Sequence, residues 1–217
     1  IVQDCEDFHL ILVDNASSDG GADIARRHAA PLGDRVRHVT CEVPGKINAL
    51  AAGLAHVETP YVATCDADTI YPRHYLTKTI AMFGLAKAPV AVMAIDLYAS
   101  PNAVSSLARK SFILRKAQRH PDKCHAGGYA QAFRTDALRA VGGFDPAIWP
   151  YVLEDHEIVE RLQPHGPTVY ATDHYCFPSS RRESRSDVSW NAFERLVYRH
   201  TPRAGMGWFF YRFLGPR

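Results

Sequence analysis

No run of 18 apolar residues occurs in the 217-residue chain, so no segment reads as a membrane-spanning helix. Charge of one sign is not in excess. Lys and Arg number 25 against 23 Asp and Glu, which excludes the strongly basic footprint of a nucleic-acid-binding protein. The five cysteines (Cys5, Cys41, Cys65, Cys124, Cys176) are odd in number, widely spaced and form no Cys-x-x-Cys pair. Neither a disulfide scaffold nor a zinc ribbon follows from them, and a reduced, cytoplasmic setting is expected. No Gly-x-Gly-x-x-Gly or Walker A loop is present, so dinucleotide and P-loop readings lack their fingerprint. Without Gly-x-Ser-x-Gly there is no hydrolase elbow. His156-Glu157 has Glu160 where a zincin needs its second His. His120, Cys124 and His125 fit no zinc spacing. The chain opens on Ile1-Val2-Gln3, with neither an initiator Met nor a signal-peptide pattern. These residues read as the end of a helix already under way, with further residues upstream.

What is present suits a globular chain: 47% of residues are hydrophobic and 22% charged, enough for one sizeable core. Apolar runs and helical patterns alternate. Strands are expected at 9–13, 35–39, 61–65, 90–98, 129–134 and 168–172. Helices are expected at 22–30, 46–56, 71–84, 102–119, through 141, and at 153–162. This alternation predicts an α/β fold with a mostly parallel, Rossmann-like sheet covered by helices on both faces. Residues 1–180 read as one domain and 181–217 as a basic, aromatic extension. The extension holds eight arginines against three acids, while residues 1–180 hold 17 basic against 20 acidic groups. Its Trp208, Phe209, Phe210, Tyr211 and Phe213 lie among arginines, a mixture that suits an anionic membrane surface. A terminal helix that docks its aromatics on the core would show the same pattern.

In such sheets ligands gather beyond the carboxyl ends of strands. Asp66-Ala67-Asp68 follows the third strand, where two carboxylates can converge on Mg²⁺ or Mn²⁺; the tripeptide also arises by chance in loops. Asp14 closes the first strand ahead of a loop rich in Asn, Ser and Asp. It could accept from a base or ribose, and the following helix N-terminus favours an anion; an ordinary strand-to-helix turn uses the same residues. Glu154-Asp155 follows Trp149-Pro150-Tyr151. Burial could make one carboxylate a general base, or both could balance a helix dipole. Gly142-Gly143-Phe144-Asp145 permits a tight turn.

Taken in order, these segments resemble family 2 glycosyltransferases of the GT-A fold. Val13-Asp14-Asn15-Ala16-Ser17-Ser18-Asp19-Gly20 resembles the family's nucleotide loop. Gly45-Lys46-Ile47-Asn48-Ala49-Leu50 with Gly53 resembles its Gly-Lys-x-x-Ala-Leu-Asn-x-Gly helix, although Ala51 stands where that motif has Asn. Asp66-Ala67-Asp68 resembles its Asp-x-Asp. Val141 to Asp145, then Glu154-Asp155 and Arg161-Leu162, resembles its acceptor-side segment. The resemblance spans residues 8–175. It implies that Asp14 and Asn15 bind the nucleotide, Lys46 lies near base or phosphates, and Asp66 touches ribose and metal. Asp68 would be the direct metal ligand and His174 an extra one, with Asp155 the general base beside Glu154. The implied reaction is inverting transfer from a nucleotide sugar, a UDP-sugar first among candidates, to a hydroxyl on a saccharide or lipid-linked saccharide. Cell-envelope polysaccharide or glycolipid synthesis would be its setting, at the inner face of the membrane. Sugar-phosphate nucleotidyl transfer and non-catalytic nucleotide-sugar binding remain alternatives. The family's opening strand, which would sit centrally between the strands at 9–13 and 61–65, is absent, leaving two unpaired edges. No Gln-x-x-Arg-Trp is present, which argues against a processive synthase. Arg181 and Arg182 are candidates for holding phosphates or acceptor.

Overall fold

The computed structural model describes residues 2–151, 153–179 and 191–215. The branched apolar run of β1 (Leu10–Asn15) pairs in parallel with β2 (Val36–Cys41), joined through α1 (Gly21–Ala29). Helix α2 (Lys46–Leu54) lies against β1, with Gly53 facing Val13. A second sheet contains β3 (Tyr61–Thr64), β4 (Thr69–Ile70), β5 (Ala91–Asp96), β6 (Gln131–Arg134) and β7 (Thr168–Pro178), in the order β3-β6-β5-β7-β4. Helices α3 (Tyr75–Phe83), α4 (Val104–Arg119), α5 (Thr135–Ala140) and α6 (Glu154–Leu162) connect and cover these strands. The chain then forms α7 (Ala192–His200) and α8 (Met206–Trp208), the latter running into a π-helical turn, Phe209–Leu214. No helix among the described residues is long and apolar enough to cross a membrane.

The α/β fold is as expected, but the pairing is mixed rather than mostly parallel. β6 inserts antiparallel between β3 and β5, and β4 runs antiparallel to β7; only β1–β2 and β5–β7 are parallel among the described pairs. Alternating strand and helix patterns do not reveal where a strand inserts, so direction was not readable from them. β7 extends well past the expected 168–172. Its Asp173-His174 interrupts the apolar run, and a register shift opposite Met93 to Ile95 breaks the alternation there. The two-residue β4 is too short to signal itself, and α3 starts only at Tyr75. Residues 2–9 form no helix.

The described strands fall into two sheets rather than one. β1 and β3 each pair on one side only among the described residues, which matches the two open edges expected. Every residue of β1 is half-buried, whereas Ala91 to Ile95 of β5 are fully buried. One apolar core nonetheless spans both sheets. Ile47 and Leu54 of α2 join Phe133, Leu138, Phe144, Trp149, Ile158 and Leu162, with Ile11 of β1 packed against them.

The C-terminal segment belongs to that core. Phe209 and Phe210 are buried, and Trp149 meets Phe210 edge-on at 5.3 Å. Asn191 and Glu194 form a reciprocal capping box at the start of α7. Lys123 Nζ donates to the carbonyls of Arg199 (2.9 Å) and Thr201 (2.5 Å) at its end. α6 is fastened on two sides. Arg161 grips Glu157 through Nε (2.7 Å) and an Nη (2.8 Å), and also donates to the carbonyls of Val141 and Gly143. Those carbonyls belong to a turn in which Gly142 and Gly143 adopt φ of 89° and 59°, a region that disfavours side chains. Tyr211 donates from its hydroxyl to Glu157.

Glu157 is 1% exposed and Arg161 14%, so removing one partner leaves a buried charge without its counter-ion. Arg161→Leu is expected to cost about 3–5 kcal/mol, read as a lowered urea midpoint. A loss under about 1 kcal/mol, the range of an exposed pair, would show that this fastening is dispensable.

Candidate active site

The carboxyl ends of β1 and β3, the start of α2 and the start of α6 converge. Lys46, the first residue of α2, holds its ammonium 3.2 Å from Asp66 Oδ1 and 3.5 Å from Glu154 Oε1. A carboxylate from the loop after β3 and one from the start of α6 thus meet across one cation. Burial first, then the neighbouring Asp155, pushes the Glu154 carboxyl above the usual range, and Lys46 opposes the shift.

Asp155 is held by backbone donors. Gly128 N–H donates to its Oδ2 at 3.0 Å, and the His156 N–H to its Oδ1 at 2.9 Å. From β6, buried Gln131 donates through Nε2 to the Asp155 carbonyl at 3.0 Å and to that of Ala126 at 2.8 Å. Gly128 sits between the two halves of the cleft. A Cβ there would lie 3.1 Å from Lys46 Nζ and 3.5 Å from Asp155 Cβ. Its carbonyl accepts from Thr64 at the end of β3. Sequence reasoning missed Gly128; the Gly127-Gly128 pair before an apolar strand was the available signal.

The Asp66–Asp68 turn closes with Thr69 N–H donating to the Asp66 carbonyl at 3.2 Å. Tyr71 braces it: its hydroxyl accepts from Asp66 N–H (3.1 Å) and donates to the Tyr129 carbonyl (2.8 Å). Burial raises the Tyr71 phenol far above its ordinary value, so it stays protonated as that donor. Tyr71 was also missed, because it reads as the start of a helix.

Asp14 Oδ1 is buried and has no hydrogen-bond partner among the described residues. An unsatisfied buried acceptor costs about 1–3 kcal/mol, which a ligand N–H or O–H would recover. Asn15 does something different from its neighbour. Its Nδ2 donates to the carbonyls of Cys41 (3.2 Å) and Val43 (2.7 Å), and its Oδ1 accepts from Gly45 N–H (2.8 Å). That side chain is spent on the turn that delivers Lys46.

His174 stands apart from the two aspartates. Its Nε2 lies 3.0 Å from Thr79 Oγ1, and its ring packs edge-on to Tyr75 at 4.7 Å. The β4–β7 pairing beside Asp68 occurs at Pro178, four residues further along β7, which is about 13 Å of strand. The structure does not bring His174 to Asp66 and Asp68; it packs between β7 and α3. Arg181 and Arg182 lie outside the described residues.

Asp66 and Asp68 offer hard carboxylate oxygens, the donors that Mg²⁺ and Mn²⁺ take. Among the described residues no group of three or more His, Cys, Asp or Glu could hold a metal ion. Two carboxylates fit an ion whose remaining positions go to substrate phosphates and water.

Comparison with known proteins adds the following. The model of the family described as "Glycosyl transferase family 2" matches residues 1–142, so Glu154 and Asp155 lie beyond the matched stretch. No curated protein matches the chain. Among solved structures, the chain resembles the mannosyltransferase PcManGT from Pyrobaculum calidifontis, in complex with GDP-Man and Mn²⁺. The TM-score is 0.61 at 21% identity, covering 92% of this chain and 54% of that one. S. aureus TarS 1–349 in complex with UDP-GlcNAc gives 0.63 at 16% identity, covering 98% and 64% respectively. Its complex with UDP gives 0.59 at 16% identity, covering 81% and 52%. The chain therefore spans between about half and just under two thirds of these neighbours.

Burial lowers the His174 imidazole to about 4 from an ordinary 6.5. His125 and His156 are lowered too, burial again being the first cause. The unfolded chain binds this proton first, so the stability contributed by the neutral His174 is full above pH 6.5 and is lost as pH falls toward about 4. His174→Gln is expected to flatten that slope by up to about 3 kcal/mol, measured by urea titration at several pH values. An unchanged slope would show that this imidazole is not held neutral.

Proposed function

Because the chain belongs to glycosyl transferase family 2 and has the GT-A fold, we propose that it moves one sugar from a nucleotide-sugar donor to a hydroxyl acceptor, with inversion and with a divalent ion. The observation that carries this reading is the cluster in which Lys46 bridges Asp66 and Glu154 while Gly128, whose N–H holds Asp155, lies beside Lys46.

Asp14, with its buried unsatisfied oxygen, receives the N–H of the base. Asp66 faces the ribose. Lys46 sits where the diphosphate arrives, kept there by Glu154 before the donor binds. Asn15 positions Lys46 through the Gly45 turn. Asp66 and Asp68 would hold Mg²⁺ or Mn²⁺, which when bound supplies positive charge against the leaving diphosphate. Lys46 is shared between Asp66 and Glu154, and a divalent ion on the Asp66–Asp68 turn would add positive charge where a polyanionic donor arrives.

Asp155 acts as general base. Two backbone N–H groups fix its carboxylate, and geometry comes before strength in such a role. As the acceptor oxygen bonds to the anomeric carbon, its proton passes to Asp155. The bond from that carbon to the phosphate oxygen breaks, and the nucleoside diphosphate leaves with the electron pair. Attack opposite the leaving group inverts the anomeric centre. The GDP-Man and UDP-GlcNAc carried by the structural neighbours make these two the donors to try first. The acceptor is a saccharide or lipid-linked saccharide hydroxyl, in envelope polysaccharide or glycolipid synthesis.

Asp155→Asn is expected to lower turnover about 10²–10⁴-fold, followed as nucleoside diphosphate released from either donor, with calorimetric binding of UDP or GDP unchanged. Unaltered turnover sinks the base assignment. Asp68→Ala is expected to abolish the Mn²⁺-dependent part of nucleotide binding; binding indifferent to both Mn²⁺ and this substitution sinks the metal assignment.

A further inference from the structure

The C-terminal segment carries aromatic residues on two sides, and the core accounts for only one. Met206, Phe209, Phe210 and Leu214 are buried. Phe193, Leu196, Trp208 and Tyr211 are exposed, at 63%, 54%, 54% and 42%. Three rings form a ladder across two elements. Phe193 of α7 lies 6.1 Å from Phe213, which stacks on Trp208 at 5.5 Å. Leu196 follows Phe193 by three residues and so continues the same side of α7.

The exposed charges that this segment itself contributes, among the described residues, are basic, although Glu160 of α6 faces Arg203. Arg195, Arg199, Arg203 and Arg212 are all exposed. The segment 191–215 contains a single acid, Glu194, and it is fully buried within the capping box. The exposed face thus combines aromatic and aliphatic side chains with guanidinium groups, and segment 191–215 itself contributes no exposed carboxylate.

We infer that this face docks on an anionic lipid surface. Trp and Phe insert at the boundary between headgroups and acyl chains, and arginines pair with lipid phosphates around them. A basic rim fits a continuous anionic sheet. A second copy of the same face would instead place like charges opposite each other. The assignment is independent of the sugar-transfer reading, since it uses none of the cleft residues.

The test is co-sedimentation of the full chain with phosphatidylcholine vesicles, with and without phosphatidylglycerol. The expected result is binding to the anionic vesicles alone, suppressed by high salt. Arg199→Glu with Arg212→Glu is expected to weaken it about tenfold or more, as is Phe193→Ser with Trp208→Ser. Arg27→Glu with Arg37→Glu makes the same change in net charge on the β1–β2 side and is expected to leave binding within about twofold. Thermal melts confirm that each variant folds, and the milder Arg199→Gln with Arg212→Gln should give an intermediate loss. No binding at low salt overturns the assignment, as does equal binding to neutral vesicles or an equal loss in the control pair. Self-association broken by the aromatic variants without any change in sedimentation would overturn it in favour of a dimer face.

Discussion

The grip of Arg161 on Glu157 is the constraint on which the candidate site rests. A buried ion pair is costly to desolvate and is retained only where its remaining hydrogen-bond capacity is used. Here it is used. The guanidinium also reaches two carbonyls of the Gly142–Gly143 turn, and the carboxylate also receives the Tyr211 hydroxyl. Three segments distant in sequence are thereby fixed to α6. Asp155 lies two residues before Glu157, within the same first turns of the helix. Its position follows from that anchoring together with Gln131 and Gly128.

The loops after β1 and β3 are held by different means. β1 and β2 form their own small sheet, and no described strand ties it to the larger one. What joins the halves is α2, whose apolar residues pack into the shared core. The Asn15 tie to the Gly45 turn then sets where α2 begins. Lys46, at that start, bridges to Asp66 on one sheet's loop and Glu154 on α6. Asp14 and Asp66 therefore keep their relative positions through a helix and a lysine rather than through ladder hydrogen bonds.

Much of this was legible in the sequence, for identifiable reasons. Apolar runs in β1, β3, β5 and β6 ended close to where they were expected, because burial on a sheet enforces composition. The family resemblance carried by Asp14, Lys46, Asp66, Asp68 and Asp155 implied one site, and three of these five, Lys46, Asp66 and Asp155, do converge, with Glu154 beside them. Strand direction was not legible, since it depends on where β6 inserts. Nor was Gly128, whose importance is the space it leaves beside Lys46 and Asp155. Asn15 and His174 mark the same limit from the other side. Both are polar residues of suitable type, yet the Asn15 amide bonds backbone, and the imidazole of His174 is buried against Tyr75 and Thr79. Residue type announces capacity; only packing shows how it is used.

The C-terminal residues show how one pattern can satisfy two demands. Interleaved aromatics and arginines suit either core docking or a lipid surface, and the fold divides them. Phe209 and Phe210 fill the core beside Trp149, while Trp208 and Phe193 face outward with the arginines. The segment is also bonded to α6 from both halves. Tyr198 pairs with His156, the residue after Asp155, at 3.0 Å, and Tyr211 donates to Glu157. Two side chains of α6 that follow Asp155 are therefore bonded to the element that carries the exposed basic face. The basic face and the helix that carries Asp155 are thus joined by two side-chain hydrogen bonds.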